Sequence, residues 1–389
     1  MGFRKTVSIG DLGKIVGGAT PSTKIQENWD GDIPWLCPKD LANYNQRYIS
    51  RGERNITQQG YESCSTKVLP TGTVLFSSRA PIGYIAIAKN PVCTNQGFKS
   101  IIPNDEIDSL FLYYLLKANK NRIESSGSGT TFKELSGKTF GAIEVSIPAS
   151  KDEQAAIAHI LGSLDNKIEA NNQINDYLAK LADSYFKEAF NSLETNAQLS
   201  DIAQVTMGQS PAGTSYNEEG KGAVFYQGRG DFGWRYPTQR LFTTEPKRMA
   251  SKNDVLMSVR APVGDLNIAF EDCCIGRGLA AIHSDYQSYV LYLMRSLKSQ
   301  LDAYNGEGTV FGSINGKSLK TFPIALPTIT AIDDFQNFIK PIDDVIRCNE
   351  QEKRDLEELR DLLLPKLMSG EIDVSQIDLT QLNNHLSDC

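Results

Sequence analysis

Arginine and lysine pair with guanine edges, asparagine and glutamine with adenine edges, and any cation or backbone N–H with phosphate. Two stretches of this chain concentrate those residue types. The first holds Lys39, Asn43, Asn45, Gln46, Arg47, Arg51 and Arg54; the second holds Gln227, Arg229, Arg235, Gln239 and Arg240. Tyr44, Tyr226 and Trp234 lie among them, either to pack on sugars and bases or to fill a core. Elsewhere Arg79 and Arg260 stand at matching places, as do Lys138 and Lys317. Matching cations suit phosphate contacts, which position a protein without carrying sequence information. The alternative is that each arginine anchors the turn before its Ala-Pro.

Other chemistries lack their constellations. The seven cysteines are scattered with no CxxC pair, and the three histidines are far apart, so neither a disulfide framework nor a metal site is expected. GRGDFG at Gly228–Gly233 fits GxGxxG, but WRYPTQR follows it instead of a helix. Gly316-Lys317-Ser318 and Gly137-Lys138-Thr139 end like a P-loop, yet Phe311 and Phe132 occupy the places of its first glycine. The Asn/Asp-Pro-Pro-aromatic tetrad of amino-methyltransferases is absent as well. A non-catalytic chain with no cofactor of its own is therefore expected.

The matching places come from a tandem duplication. IGDLGKIVGGATPS aligns with LSDIAQVTMGQSPA at an offset of 190, and LFSSRAPIGYIAIA with LMSVRAPVGDLNIA at 181. GTTFKELSGK aligns with GTVFGSINGK at 179, Pro148 with Pro327, and LDNKIEANNQ with IDDVIRCNEQ. The offset shifts between Pro21 and Arg79, and between Pro211 and Arg260; there the halves lose all similarity. One scaffold thus carries two different inserts, and two unlike inserts imply two unlike targets.

The elements that must position these residues follow from the patterning. Residues 1–150 and 199–327 contain short apolar runs bounded by turn residues, which predicts β-rich domains with a minor helix near Leu110–Lys120 and another near Tyr289–Leu301. Residues 151–190 and 328–368 carry apolar positions at spacings of three, four and seven, which predicts two long helices and a coiled coil. A linker at 191–198 and a tail at 369–389 complete the division. Asn171 and Asn175 interrupt the first stripe, Asn349 and Lys353 the second. An antiparallel pair would relate the two β-rich domains by a pseudo-two-fold and separate them, an α+β arrangement.

The net charge of −7 argues at first against a nucleic-acid partner. Its distribution reverses that argument: residues 1–150 carry +4, 151–198 carry −4, 199–327 carry +1 and 328–389 carry −8. The acidity sits on the helices and tail. No apolar stretch approaches the roughly 20 residues of a membrane span, and the N-terminus lacks the apolar run of a signal peptide, so a cytoplasmic protein without membrane contact is expected.

The order of these features resembles the specificity subunit of type I restriction–modification enzymes over nearly the whole chain. The resemblance rests on the duplication, on GDIPWLCPKDL and FYQGRGDFG, on the SRAP and VRAP strands, and on LRDLLLPKLMSGEIDV. It implies two target-recognition domains, an antiparallel coiled coil, and binding of double-stranded DNA with an interrupted, asymmetric target. It also implies two methyltransferase subunits and restriction subunits as partners, with S-adenosylmethionine, ATP and magnesium belonging to those partners. The rival is a helical scaffold that tethers proteins without reading DNA.

Overall fold

The computed structural model describes residues 4–42, 44–79, 81–128, 133–190, 192–306 and 312–374. The chain forms two compact units, Met1–Asn172 with Gln351–Cys389, and Gln173–Glu350. Each unit takes one β-rich domain and part of each long helix, Lys151–Phe190 and Ile329–Ser369.

In the first unit a five-stranded sheet runs in the order Gly13–Gly17, Lys99–Pro103, Val74–Phe76, Ile85–Ala88 and Tyr48–Ile49. Its neighbours are antiparallel except the last pair, where Tyr48 lies beside Ile87. A three-stranded sheet places Trp29–Leu36 between Asn55–Ile56 and Cys93–Thr94. The helix Ser109–Ala118 starts on Asp108, whose carboxylate accepts from Phe111 N at 2.8 Å. Its Phe111, Leu112, Tyr114 and Leu115 are buried with Val74, Phe76 and Ile101. A continuous apolar run is what such a buried helix requires, and the same core takes Ile157 and Leu161 from the first long helix and Leu364, Leu367 and Met368 from the second.

The second unit repeats the plan with altered sheets. Four strands run in the order Gln204–Met207, Leu279–His283, Val255–Ser258 and Leu266–Ile268. A second sheet of five runs Tyr216–Asn217, Phe242–Thr243, Ala223–Tyr226, Cys273–Ile275 and Met249–Ala250. The helix Gln287–Ser296 buries Tyr289, Tyr292 and Leu293 against Phe186 and Phe335 of the long helices. Residues 197–198, expected in a linker, form the strand Ala197–Gln198 paired with Pro323–Ile324.

The long helices run antiparallel within each unit. In the first, Asp165 meets Arg360 at 2.8 Å, Leu164 and Ile168 pack on Leu356, and Asn171 donates to Glu352 at 2.6 Å. In the second, Asn349 donates to Asn175 at 2.8 Å, Ala182 and Phe186 share a core with Ile339 and Phe335, and Tyr185 stacks on Phe335. The α+β class with two β-rich domains and a long antiparallel helix pair is therefore the one the sequence predicts. The apolar spacing did not separate inward from outward positions: Leu181, Tyr185, Phe338, Val345 and Leu359, all on the predicted stripes, are exposed.

Candidate nucleic-acid interface

In the second unit the strand Ala223–Tyr226 runs parallel to Cys273–Ile275 and ends in a tight turn, Arg229–Asp231. Asp231 builds that turn. Its buried carboxylate accepts from Gln227 N at 2.7 Å and Gly228 N at 3.3 Å, and it also binds Arg240. The turn forms one wall of an open cleft of about 1070 Å³. Four exposed arginines line the cleft, Arg229, Arg240, Arg260 and Arg277, together with Gln209 and Gln227. Glycine forms the floor because the strands approach closely there; a Cβ on Gly208 would lie 2.2 Å from the Gly276 carbonyl oxygen. A concave, cation-lined surface with amide side chains suits a polyanion whose base edges are read. A second concavity of about 620 Å³ carries Arg248, Lys317 and Lys320.

The first unit has the same skeleton with other side chains. Trp29–Leu36 runs parallel to Cys93–Thr94 and ends in the turn Pro38–Leu41. Asp40 caps that turn, accepting from Cys37 N at 2.7 Å, and its other oxygen accepts from Glu53 N at 2.8 Å. Lys39 projects from the turn and pairs with Glu53 at 2.9 Å, both exposed. Arg54 lies 3.9 Å over the Trp29 ring, while Arg51 and Gln46 are exposed. The inserts that share no sequence thus share a strand, a capped turn and an aspartate. A short polar cap is set by backbone geometry, which a residue-by-residue alignment does not register.

The matching cations differ in state. Arg79 and Arg260 occupy equivalent backbone bridges, to Glu134 and Ser313 respectively. Arg79 closes an ion pair with the Glu134 side chain at 2.9 Å; Arg260 faces a serine at that place and lines the cleft. Lys138 and Lys317 are exposed on the short helices Gly137–Gly141 and Gly316–Lys320, capped by Ser136 and Asn315.

Two expected base readers are corrected. Arg47 and Arg235 are each only 4% exposed and are held by the long helices. Arg47 bonds Glu169 at 3.1 Å, the Gly162 carbonyl at 3.2 Å, and Asn166. Arg235 bonds Asp343, and Tyr292 at 3.3 Å. The two are structural counterparts: their carbonyls accept from Ile87 N and Ile268 N, which align in the duplication. Tyr114 and Tyr292 likewise donate to the aligned Asp165 and Asp343, at 2.6 and 2.8 Å. In the first unit Arg360 occupies Asp165, so Arg47 turns to Glu169 and Asn166. Burial alone would depress both guanidiniums. Together the groups around each outweigh it, with Glu169, Tyr114 and Asp165 acting on Arg47 and Asp343, Tyr292 and Tyr236 on Arg235, so both are raised and stay protonated. Tyr226, a candidate for stacking, is 1% exposed and belongs to the core. Tyr44 is half-buried and donates to the Tyr48 carbonyl, whereas Trp234 is exposed. Asn45 is exposed, Gln239 binds Glu271, and Asn43 lies outside the described residues, as do Phe132 and Phe311.

Arg277, Gln209, Arg248 and Lys320 were missed by sequence reasoning. They lie outside the two divergent windows or apart from the arginine-rich runs. Arg277 precedes Gly278, which aligns with Gly97, and that adjacency was the available signal.

Among the described residues no group of histidine, cysteine, aspartate or glutamate can hold a metal ion, and no helix is long and apolar enough to cross a membrane. The chain is 34% identical to the type I restriction enzyme MjaIX specificity subunit of Methanocaldococcus jannaschii over 410 residues, covering 95% of this chain and 93% of that one. Over 165 residues it is 28% identical to the EcoR124I/EcoR124II specificity subunit of Escherichia coli, covering 41% of this chain and 40% of that one. The crystal structure of the type I restriction–modification S subunit from M. genitalium shares the fold, with a TM-score of 0.62 at 18% identity over 94% of this chain and 96% of that one. The sequence profile of the type I restriction modification DNA specificity domain matches residues 4–180 and again 194–360. Two capped turns on two copies of one skeleton, each with its own cations, thus have a family: the chain belongs to the type I restriction–modification specificity subunits and carries that domain twice.

Proposed function

We infer that this chain is the non-catalytic, sequence-reading subunit of a type I restriction–modification complex, and that each unit reads one part of an interrupted, asymmetric DNA target. The supporting observation is the contrast between the two turns. In and around the equivalent turns, one unit presents Arg229, Arg240 and Arg277, but the other Lys39 with Glu53 and Arg54 over Trp29. A palindromic target would be served by like side chains.

The helices are the proposed docking surface for two methyltransferase subunits, which restriction subunits then join. Ile174, Tyr177, Leu181 and Tyr185 are exposed at helical spacing in the second unit, as are Leu359 and Leu362 in the first. Apolar surface grouped in this way marks an interaction site. S-adenosylmethionine, ATP and magnesium are assigned to the partners, and the complex to the cytoplasm.

The test is co-expression with the cognate methyltransferase, followed by genome-wide mapping of methylated bases. One interrupted, asymmetric motif is expected. A palindrome, or no methylation from an assembled complex, overturns the reading. A scaffold that does not read DNA would give equal electrophoretic shifts on target and random duplexes across a salt series.

A further inference from the structure

Arg229 stands on the wall between two concavities of the second unit: the arginine-lined cleft and a pocket of about 530 Å³ behind it. Its Nε donates to Oδ2 of Asp265. Among the described residues its two Nη groups have no acceptor. One edge of the guanidinium is therefore taken by the carboxylate. The free fork is the part that pairs with O6 and N7 of guanine.

Asp265 is itself fixed from behind. Its backbone N donates to Ser258 Oγ at 2.9 Å, and Ser258 N returns a bond to its carbonyl at 2.9 Å. Lys298 Nζ meets the second carboxylate oxygen, Oδ1, at 2.8 Å, and is held in turn by the Val263 carbonyl at 2.9 Å and Asp302 at 3.1 Å. The relay thus ties the divergent turn (Arg229) to the scaffold hairpin (Asp265) and to the short helix Lys298–Leu301. Lys298 balances the charge of Asp265, so the carboxylate orients Arg229 without depending on it for neutrality. An exposed ion pair adds little to stability. Holding a long side chain in its binding geometry, by contrast, lowers the ordering cost of binding.

The duplication isolates the device. Lys120 aligns with Lys298, but Tyr84 aligns with Asp265, and the turn of the first unit carries Lys39 paired to Glu53. We propose that Asp265 is a positioning residue for base recognition: it presents Arg229 so that the second unit, and not the first, demands guanine at one fixed place of its half-site. This rests on the DNA-reading function above.

The test uses the full chain assembled with its methyltransferase subunits, after the target has been mapped by methylation. Dissociation constants are measured for the target duplex and for every single-base substitution of it, with wild type, Asp265→Asn, Arg229→Ala and the double variant. Asp265→Asn is expected to lose about tenfold of discrimination at one G·C pair, the same pair that Arg229→Ala relaxes. The double variant is expected to be no worse than Arg229→Ala. A uniform change of affinity over all duplexes, or relaxation at a different pair, overturns the proposal. If Asp265→Asn does not fold, Lys298→Met must shift the same pair by about threefold; an unchanged profile overturns the proposal equally. Wild type that treats all duplexes alike overturns the DNA-reading function itself, whereas a discriminating wild type with an unaltered Asp265→Asn profile sinks the positioning role alone.

Discussion

Arg229, Lys317 and Arg235 are all cations of the second unit, and their surroundings assign them three different tasks. Arg229 is exposed in the cleft, and its two Nη groups have no acceptor among the described residues, so Arg229→Ala is expected to relax base choice at one position, by about 1–3 kcal/mol of discrimination. Equal weakening on all sequences in a substituted-duplex panel would refute that assignment. Lys317 lies in a separate cationic concavity with Arg248 and Lys320. Lys317→Ala should weaken binding to every sequence and reduce the slope of log affinity against log salt by about 1, measured over a salt series. Arg235 is buried against Asp343 and Tyr292. Removing one partner of a buried pair leaves an uncompensated charge, so Arg235→Ala should cost about 3–5 kcal/mol in denaturant unfolding. Base specificity per folded molecule should remain unchanged.

At the scale of elements, the paired helices carry polar groups where an apolar seam would be simpler. Asn175 and Glu350 are nearly fully buried, and Asn349 donates to Asn175 at 2.8 Å. Asn175 also donates to the Ile346 carbonyl and to Glu350, both at 3.4 Å. Such a cluster is satisfied in one register only, which is how a buried asparagine specifies pairing at a cost in stability. Asn175→Ala removes the oxygen to which Asn349 donates and one donor to Glu350, and is expected to destabilise the chain by about 1–3 kcal/mol, read by thermal or denaturant unfolding. Full wild-type stability would show that the cluster does not hold the register. The stripes that predict these helices contain both buried and exposed apolar residues, Ile346 and Val345 side by side. Spacing alone names a helix; it does not say which of two adjacent apolar positions faces the partner strand of the pair.

For the whole molecule, two copies of one domain with separate recognition segments predict modular specificity. Replacing the segment between Pro21 and Arg79 by that of a relative should change one part of the methylated motif and leave the other part intact, as mapped by methylation sequencing. A change in both parts, or in neither, would contradict independent reading by the two units. The duplication, the long helices, the β-rich domains and the windows of divergence were all legible in the sequence, because repetition and apolar periodicity are properties of order along the chain. The fate of each arginine was not. Arg47 and Arg229 look alike in sequence, yet Arg47 is locked onto Glu169 and Arg229 lines an open cleft. The hidden kinship of the inserts, Asp40 with Asp231 and Arg47 with Arg235, likewise emerged only from backbone hydrogen bonds. Whether a cation is a buried clamp or a free reader depends on which carboxylate the fold brings beside it, and those carboxylates lie more than 100 residues away in the chain for both Arg47 and Arg235.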